Sequence, residues 1–201
     1  MINKKKTNLT VIVPYYNNTS AEINRSIESI LDQKKIKFRI IILIVDDKSL
    51  NKMTISKLSN RIKKKIKKRK NFKLKILRKT KNSGDSDTRL MGVRNSNSEY
   101  IAFLDSDDYW KPYKLYHQFN LIKKCGCEII GTDWNSKTHF KKFLYPLKNY
   151  YKLDHFSVAL KWWPHISTLL LKRDSFFLSN AKLSKNYRHA GDGEVLLKLT
   201  K

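Results

Sequence analysis

Acidic residues are scarce in this chain: Asp and Glu number 17 against 43 Lys and Arg, a formal net charge of +26 at pH 7 over 201 residues. Such a balance attracts nucleic acid, anionic lipid or a phosphorylated substrate. Most of the excess is Lys, and Ile and Asn are also abundant, as AT-rich coding sequence would produce. Charge by itself therefore selects no partner. Long apolar runs are missing too, and none approaches the roughly 18 residues needed to span a bilayer. The start, Met1 to Lys6, leads into a short strand-like run and not into the apolar core of a signal peptide, so a cytoplasmic location is expected. Cysteine is limited to Cys125 and Cys127. On an extended segment, residues two apart stand about 7 Å apart, at the limit of disulfide reach, which disfavours a mutual disulfide. No His or Cys set stands nearby to suggest zinc. The chain shows no internal repeat and no clear linker, and its length suits one domain with a real core.

What the chain does have is a few acids placed at the ends of apolar runs. The central example is Tyr100-Ile101-Ala102-Phe103-Leu104-Asp105-Ser106-Asp107-Asp108. Alternation puts Ile101 and Phe103 on one face and Ala102 and Leu104 on the other, so the strand is apolar on both sides, as in a buried parallel sheet. Acids at its C-terminal end stand where open α/β sheets bind ligands. Three clustered carboxylates call for compensation by Lys or Arg, helix N-terminal amides or a cation. Oxygen ligands favour Mg²⁺ or Mn²⁺. The competing reading is an acidic turn that caps the next helix.

The rest of the chain reads as further βα units. Leu9 to Pro14 is a first strand, stopped by Pro14. Thr19-x-x-Glu22 is a capping box that opens a helix with Ile23, Ile27, Ile30 and Leu31 inward. Phe38 to Val45 is a second buried strand, ending in Asp46-Asp47. Ile55, Leu58, Ile62 and Ile66 mark a helix whose remaining surface, Arg61 to Lys70, is heavily basic. That surface is either a solvated face or a contact for anionic membrane. Phe72 to Leu77 alternates as a third strand. A short helix is expected over Thr88 to Asn95, and its arginines could point a guanidinium at a diphosphate. After Trp110, Pro112 suits the first turn of a helix with Leu115, Phe119 and Ile122 inward. Glu128 to Thr132 and Thr168 to Lys172 are later strands. Trp134, Trp162 and Trp163 are either core or a stacking surface for a sugar, and His165 and His189 are candidates for diphosphate or acceptor contacts. The fold class is α/β, with a mostly parallel central sheet flanked by helices.

Several of these segments, in this order, resemble the family 2 glycosyltransferases, nucleotide-sugar enzymes of the GT-A fold. Val11 to Asn17 is similar to the family's opening strand and turn, and Ile44-Val45-Asp46-Asp47-Lys48-Ser49 to its V-D-D-x-S element. Asn82-x-Gly84, Arg89 and Gly92 resemble the segment before the central strand. Tyr100 to Asp108 is very close to the metal motif with its D-x-D. Ser167-Thr168 and Ala190-Gly191-Asp192 are similar to later elements, although the family usually has Glu where Gly191 stands. The likeness runs over roughly residues 9 to 200.

The resemblance implies a single domain over 1–201, with a nucleotide-binding part near 9–110 and an acceptor-side part near 111–201. It implies that Asp46 binds the base of the nucleotide in a pocket lined by Pro14 and Tyr15. Arg89 and Ser106 lie on the nucleotide-sugar side. Asp105 and Asp107 hold Mn²⁺ or Mg²⁺ against the donor diphosphate, with Asp108 assisting, and Asp192 is the general base. The expected reaction is inverting transfer of a sugar, from a UDP-sugar above all, to a saccharide or lipid-linked acceptor of a surface polysaccharide. Nucleic acid is not an expected partner; peripheral contact with anionic membrane is. Competing readings are a basic nucleic-acid-binding protein and an inactive relative that keeps only the nucleotide fold.

Overall fold

Eight residues from Asn8 to Tyr15 form β1, and every side chain from Leu9 to Tyr15 is buried. This strand is the centre of the fold. The computed structural model describes residues 8–50, 52–67, 69–132 and 165–178. Among them a six-stranded sheet runs in the order β3-β2-β1-β4-β6-β5. Its further strands are β2 (Arg39–Asp46), β3 (Phe72–Arg78), β4 (Tyr100–Phe103), β5 (Ile129–Ile130) and β6 (Leu170–Lys172). Strands β1 to β4 are mutually parallel, whereas β6 is antiparallel to both β4 and β5.

Period-two alternation sorts the strand side chains between two cores. Leu9, Val11, Val13, Ile40, Ile42, Ile44, Ala102 and Leu104 face one way. Helices α1 (Ser20–Leu31), α2 (Lys52–Ile66) and α4 (Lys114–Cys125) cover them. Ile12, Leu43, Val45, Ile101 and Phe103 face the other way, toward α3 (Asp85–Arg94) and α5 (Arg173–Leu178). Both faces of the central strands are thus dry, as their unbroken apolar runs require. Helix α1 begins as its sequence predicts: Thr19 caps it, and Glu22 returns the capping-box bond to the Thr19 N–H at 2.9 Å, a device worth about 1 kcal/mol. At Gly92 in α3, an added Cβ would lie 2.4 Å from Ile12 Cγ2, so the helix rests directly on β1.

Several expectations are corrected. Pro14 does not stop β1; it continues the strand opposite Val45. Tyr15 turns its carbonyl to β2, accepting from Asp47 N–H, while Ile12 turns its carbonyl to β4, accepting from Leu104 N–H. Pro14 therefore faces the β4 side, past the last paired residue Ile12, where its missing N–H costs no ladder bond. Cys125 and Cys127 are disulfide-bonded, with Cα atoms 5.2 Å apart. The segment is not extended there: α4 ends at Cys125, and Gly126 takes a left-handed conformation, φ +66°, which shortens the span between the two Cα atoms to within disulfide reach. Pro112 precedes α4 and does not lie in its first turn, and α3 starts at Asp85, ahead of Thr88. The last strand is shorter than expected, because Ile166–Thr168 form a 3₁₀ turn.

Candidate active site

The C-terminal ends of β1, β2, β3 and β4 share one edge of the sheet because these strands are parallel. Order reverses between β1 and β4, the switch point where a crevice opens in α/β sheets. The loops at this edge are bound to one another. Asn17 N–H donates to Ser49 Oγ (3.1 Å), and Leu50 N–H donates to Asn17 Oδ1 (2.9 Å). Ser106 Oγ donates to Asn18 Oδ1 at 2.6 Å. Asn17 itself takes the left-handed conformation (φ 54°), which Asn tolerates better than most residues.

Under this rim lies a floor of committed groups. Asp46 is fully buried; its Oδ1 accepts from Ser49 N–H at 2.8 Å and its Oδ2 from Arg78 Nη1 at 2.5 Å. Asp47 takes the N–H groups of Ser83 (3.0 Å) and Gly84 (2.8 Å) and pairs with Lys79 at 2.8 Å. Lys79 also reaches Asp87 at 2.9 Å. Pro14, Tyr15 and Asp46, expected to line a base pocket, are all buried at this edge of the sheet. Tyr15 is further tied by its hydroxyl, which donates to the Asn18 carbonyl at 3.1 Å.

On the β4 side Asp105 is paired as well. Arg89, on α3, donates from Nη2 to Asp105 Oδ1 at 2.6 Å, and both the arginine and its partner are largely buried. Asp105 N–H donates to Ser167 Oγ at 3.1 Å, which draws the late 3₁₀ turn onto the central motif. Ligand atoms of Asp105, Asp108 and His165 all lie within 4.8 Å of one another. His165 Nδ1 is 3.6 Å from Asp108 Oδ2 and accepts from Ser167 N–H at 3.3 Å. Two carboxylates and an imidazole fit Mn²⁺ well and Mg²⁺ less well, since the nitrogen is the softer donor. Asp107 is exposed at the rim, and Arg25 Nη2 holds its carbonyl at 2.5 Å. Partial loss of hydration, then the charges of Asp105, Asp108 and Glu22, hold its carboxyl above the usual carboxylate range. A local excess of negative charge of this kind is what a divalent ion neutralises.

The structure thus gathers Pro14, Tyr15, Asp46, Arg89, Asp105, Ser106 and Asp107 along one edge. Asp192, His189, Trp134, Trp162 and Trp163 lie outside the described residues. Arg25, Arg78 and Lys79 were not singled out in the sequence. Arg78 had a signal, since it ends β3 directly opposite Asp46; Arg25 had none, because its partner lies far along the chain.

The family model for "Glycosyl transferase family 2" matches residues 10–179. An uncharacterized glycosyltransferase of Rickettsia felis is 36% identical over 138 residues, 69% of this chain and 21% of the relative. The succinoglycan biosynthesis protein ExoW of Rhizobium meliloti is 27% identical over 153 residues, 75% of this chain and 41% of that protein. Across such curated relatives the chain spans between 18% and 56% of their length. Among solved structures, residues 1–349 of S. aureus TarS superpose with a TM-score of 0.72 at 19% identity, covering 96% of this chain and 55% of that one. A mannosyltransferase of Pyrobaculum calidifontis, solved with GDP-Man and Mn²⁺, superposes at 0.70 with 15% identity, covering 98% and 52%. These likenesses carry the fold, and the family match, over most of the chain, carries the assignment. The chain belongs to glycosyl transferase family 2.

Proposed function

We propose that the chain is an inverting glycosyltransferase that moves a sugar from a nucleotide sugar, a UDP-sugar foremost, to a saccharide or lipid-linked acceptor of a surface polysaccharide. It works on the cytoplasmic side, in peripheral contact with anionic membrane. The observation that carries the reading is the rim itself: Asp105 fixed by Arg89 at 2.6 Å, with Asp108 and His165 beside it, at the switch point of a parallel sheet. The TarS structure solved with UDP-GlcNAc supports a UDP-sugar, and the ExoW name supports a polysaccharide product.

Asp105 is the residue shared by the ligand pair that the motif implies, Asp105 with Asp107, and by the cluster that includes Asp108 and His165. When bound, Mn²⁺ or Mg²⁺ offsets the charge that builds on the departing diphosphate. Arg89 keeps the Asp105 carboxylate aimed at the crevice, and Ser106 anchors the motif to the β1 loop. Asp46 binds the base of the nucleotide, with Pro14 and Tyr15 lining that pocket, and Asp47 holds the Ser83–Gly84 loop beside it. Asp192, assigned through the family resemblance, takes the proton from the acceptor hydroxyl while its oxygen bonds C1 opposite the leaving diphosphate. One displacement with one base inverts the anomeric carbon.

The test is a panel of nucleotide sugars with Mn²⁺, read as slow donor hydrolysis, which needs no acceptor. One or more donors should turn over, chelation should stop the reaction, and Asp105→Asn and Asp107→Ala should each abolish it. Normal turnover in both variants would refute the carboxylate assignment. Asp108→Ala and His165→Ala should raise the Mn²⁺ concentration needed for half-maximal rate.

A further inference from the structure

Charge is distributed along the fold with a strong polarity. Between Asp47 and Asp85 the sequence contains no acid and is dense in Lys and Arg. Much of this charge collects at the end of the sheet opposite the acidic rim. The last turn of α2 and the connection into β3 expose Lys64, Lys67 and Lys70, and the connection from α1 into β2 exposes Lys34, Lys35 and Lys37. Both connections feed the N-terminal ends of parallel strands, so they lie side by side. Arg69 Nη1 fastens them by donating to the Leu31 carbonyl at 2.5 Å, and Lys65 pairs with Glu28 at 2.5 Å. Lys35 lies over the rings of Tyr113 and Tyr116, 5.9 and 4.8 Å from their centroids, and Tyr113 is itself exposed.

We infer that this lysine-rich edge is the face that docks on an anionic lipid bilayer, with the acidic rim held away from it. This deepens the membrane contact proposed above and rests on it. Charge complementarity selects an anionic partner. The shape selects a flat one, since Lys34, Lys35, Lys37, Lys67 and Lys70 stand on adjacent connections and Lys64 on the last turn of α2 beside them. The apolar stripe of α2, Leu58 and Ile62, is committed to the core, so attachment is electrostatic and without insertion. Lysine suits diffuse attraction to headgroups, and a tyrosine such as Tyr113 suits the headgroup level.

The orientation restricts the acceptor. Strand β2 has eight residues, so the rim stands about 25 Å from the docking edge. A sugar lying at the headgroups would be out of reach. The acceptor's reacting end has to project well beyond the bilayer, as the end of a growing saccharide does.

The experiment is cosedimentation of the full chain with phosphatidylcholine vesicles and with vesicles enriched in phosphatidylglycerol. Binding should need the anionic lipid and fall away at high salt. The double variant Lys64→Gln/Lys67→Gln should lower partitioning roughly thirtyfold, whereas Lys48→Gln/Lys81→Gln, with equal charge removed from the loops at the rim, should change it little. Equal losses in the two variants would overturn the assignment of the face. So would no preference for anionic vesicles, or tighter binding to an RNA or DNA duplex at the same salt. Donor hydrolysis without vesicles should be unchanged in Lys64→Gln/Lys67→Gln. Vesicle binding lost while hydrolysis persists in the parent protein would sink the docking face and leave the transferase reading standing.

Discussion

Replacing Asp47 by Ala is expected to loosen the whole segment that carries Arg89. The carboxylate accepts the Ser83 and Gly84 N–H groups and pairs with Lys79, and its side chain and that of Lys79 are 3% and 7% exposed. Breaking a buried ion pair from one side costs about 3–5 kcal/mol, because the remaining charge stays buried. Here Lys79 keeps Asp87 at 2.9 Å and Thr88 Oγ1 at 3.1 Å, and water can reach the exposed Gly84. The lower end, about 3 kcal/mol, therefore applies. In a chain of this size that lowers the melting temperature by about 6–12 °C, readable by calorimetry or circular dichroism. A double-mutant cycle with Lys79→Met isolates the pair: Asp47→Ala/Lys79→Met should lose less than the sum of the single losses by about 1–2 kcal/mol. An Asp47→Ala protein that melts with the parent, or strictly additive losses, would refute the reasoning.

Other consequences are open to the same measurements. Gly92→Ala drives a Cβ to 2.4 Å from Ile12 Cγ2; overpacking of about 1–3 kcal/mol outweighs up to about 1 kcal/mol of gained helix propensity, so the variant should melt lower, and an equal or higher melting point would contradict the close seat of α3. Lys114 is buried, with Nζ 2.9 Å from Gln118 Oε1 and 4.1 Å from the Trp110 ring centroid, and burial pushes its pKa well below the ordinary lysine value. The unfolded chain then binds the proton more tightly than the fold does, so this group's destabilising contribution is greatest at low pH and is relieved as pH rises toward the unfolded value near 10.4. Relative to Lys114→Met, the parent should gain stability between neutral and alkaline pH; a difference independent of pH would exclude a depressed lysine.

Local patterns reported most of the fold. The Thr19–Glu22 capping box, the stripe of Ile23, Ile27 and Ile30, and the two-faced run Ile101–Leu104 are each written in adjacent residues, and each stands as expected. Pro14 misled because strand interiors normally exclude it; only the neighbouring strand's length shows that its ring faces no partner. Cys125 and Cys127 misled because the reading assumed extended backbone, and Gly126 reverses the chain between them. At the rim, Asp46, Asp105 and Asp107 were legible as strand-end acids. The partnership of His165 with Asp105 and Asp108 was not, since the antiparallel return of β6 beside β4 is a long-range pairing that no short pattern encodes.

Among the described residues strand β3 ends the sheet on one side, and along it Lys73 and Lys75 are exposed between the inward Leu74 and Ile76. Its open backbone would otherwise invite a neighbour's strand to zip onto it. Two such edges brought together would align ammonium groups of like sign. Concentrated solutions should therefore resist strand-mediated clumping until added salt or a polyanion quiets that repulsion.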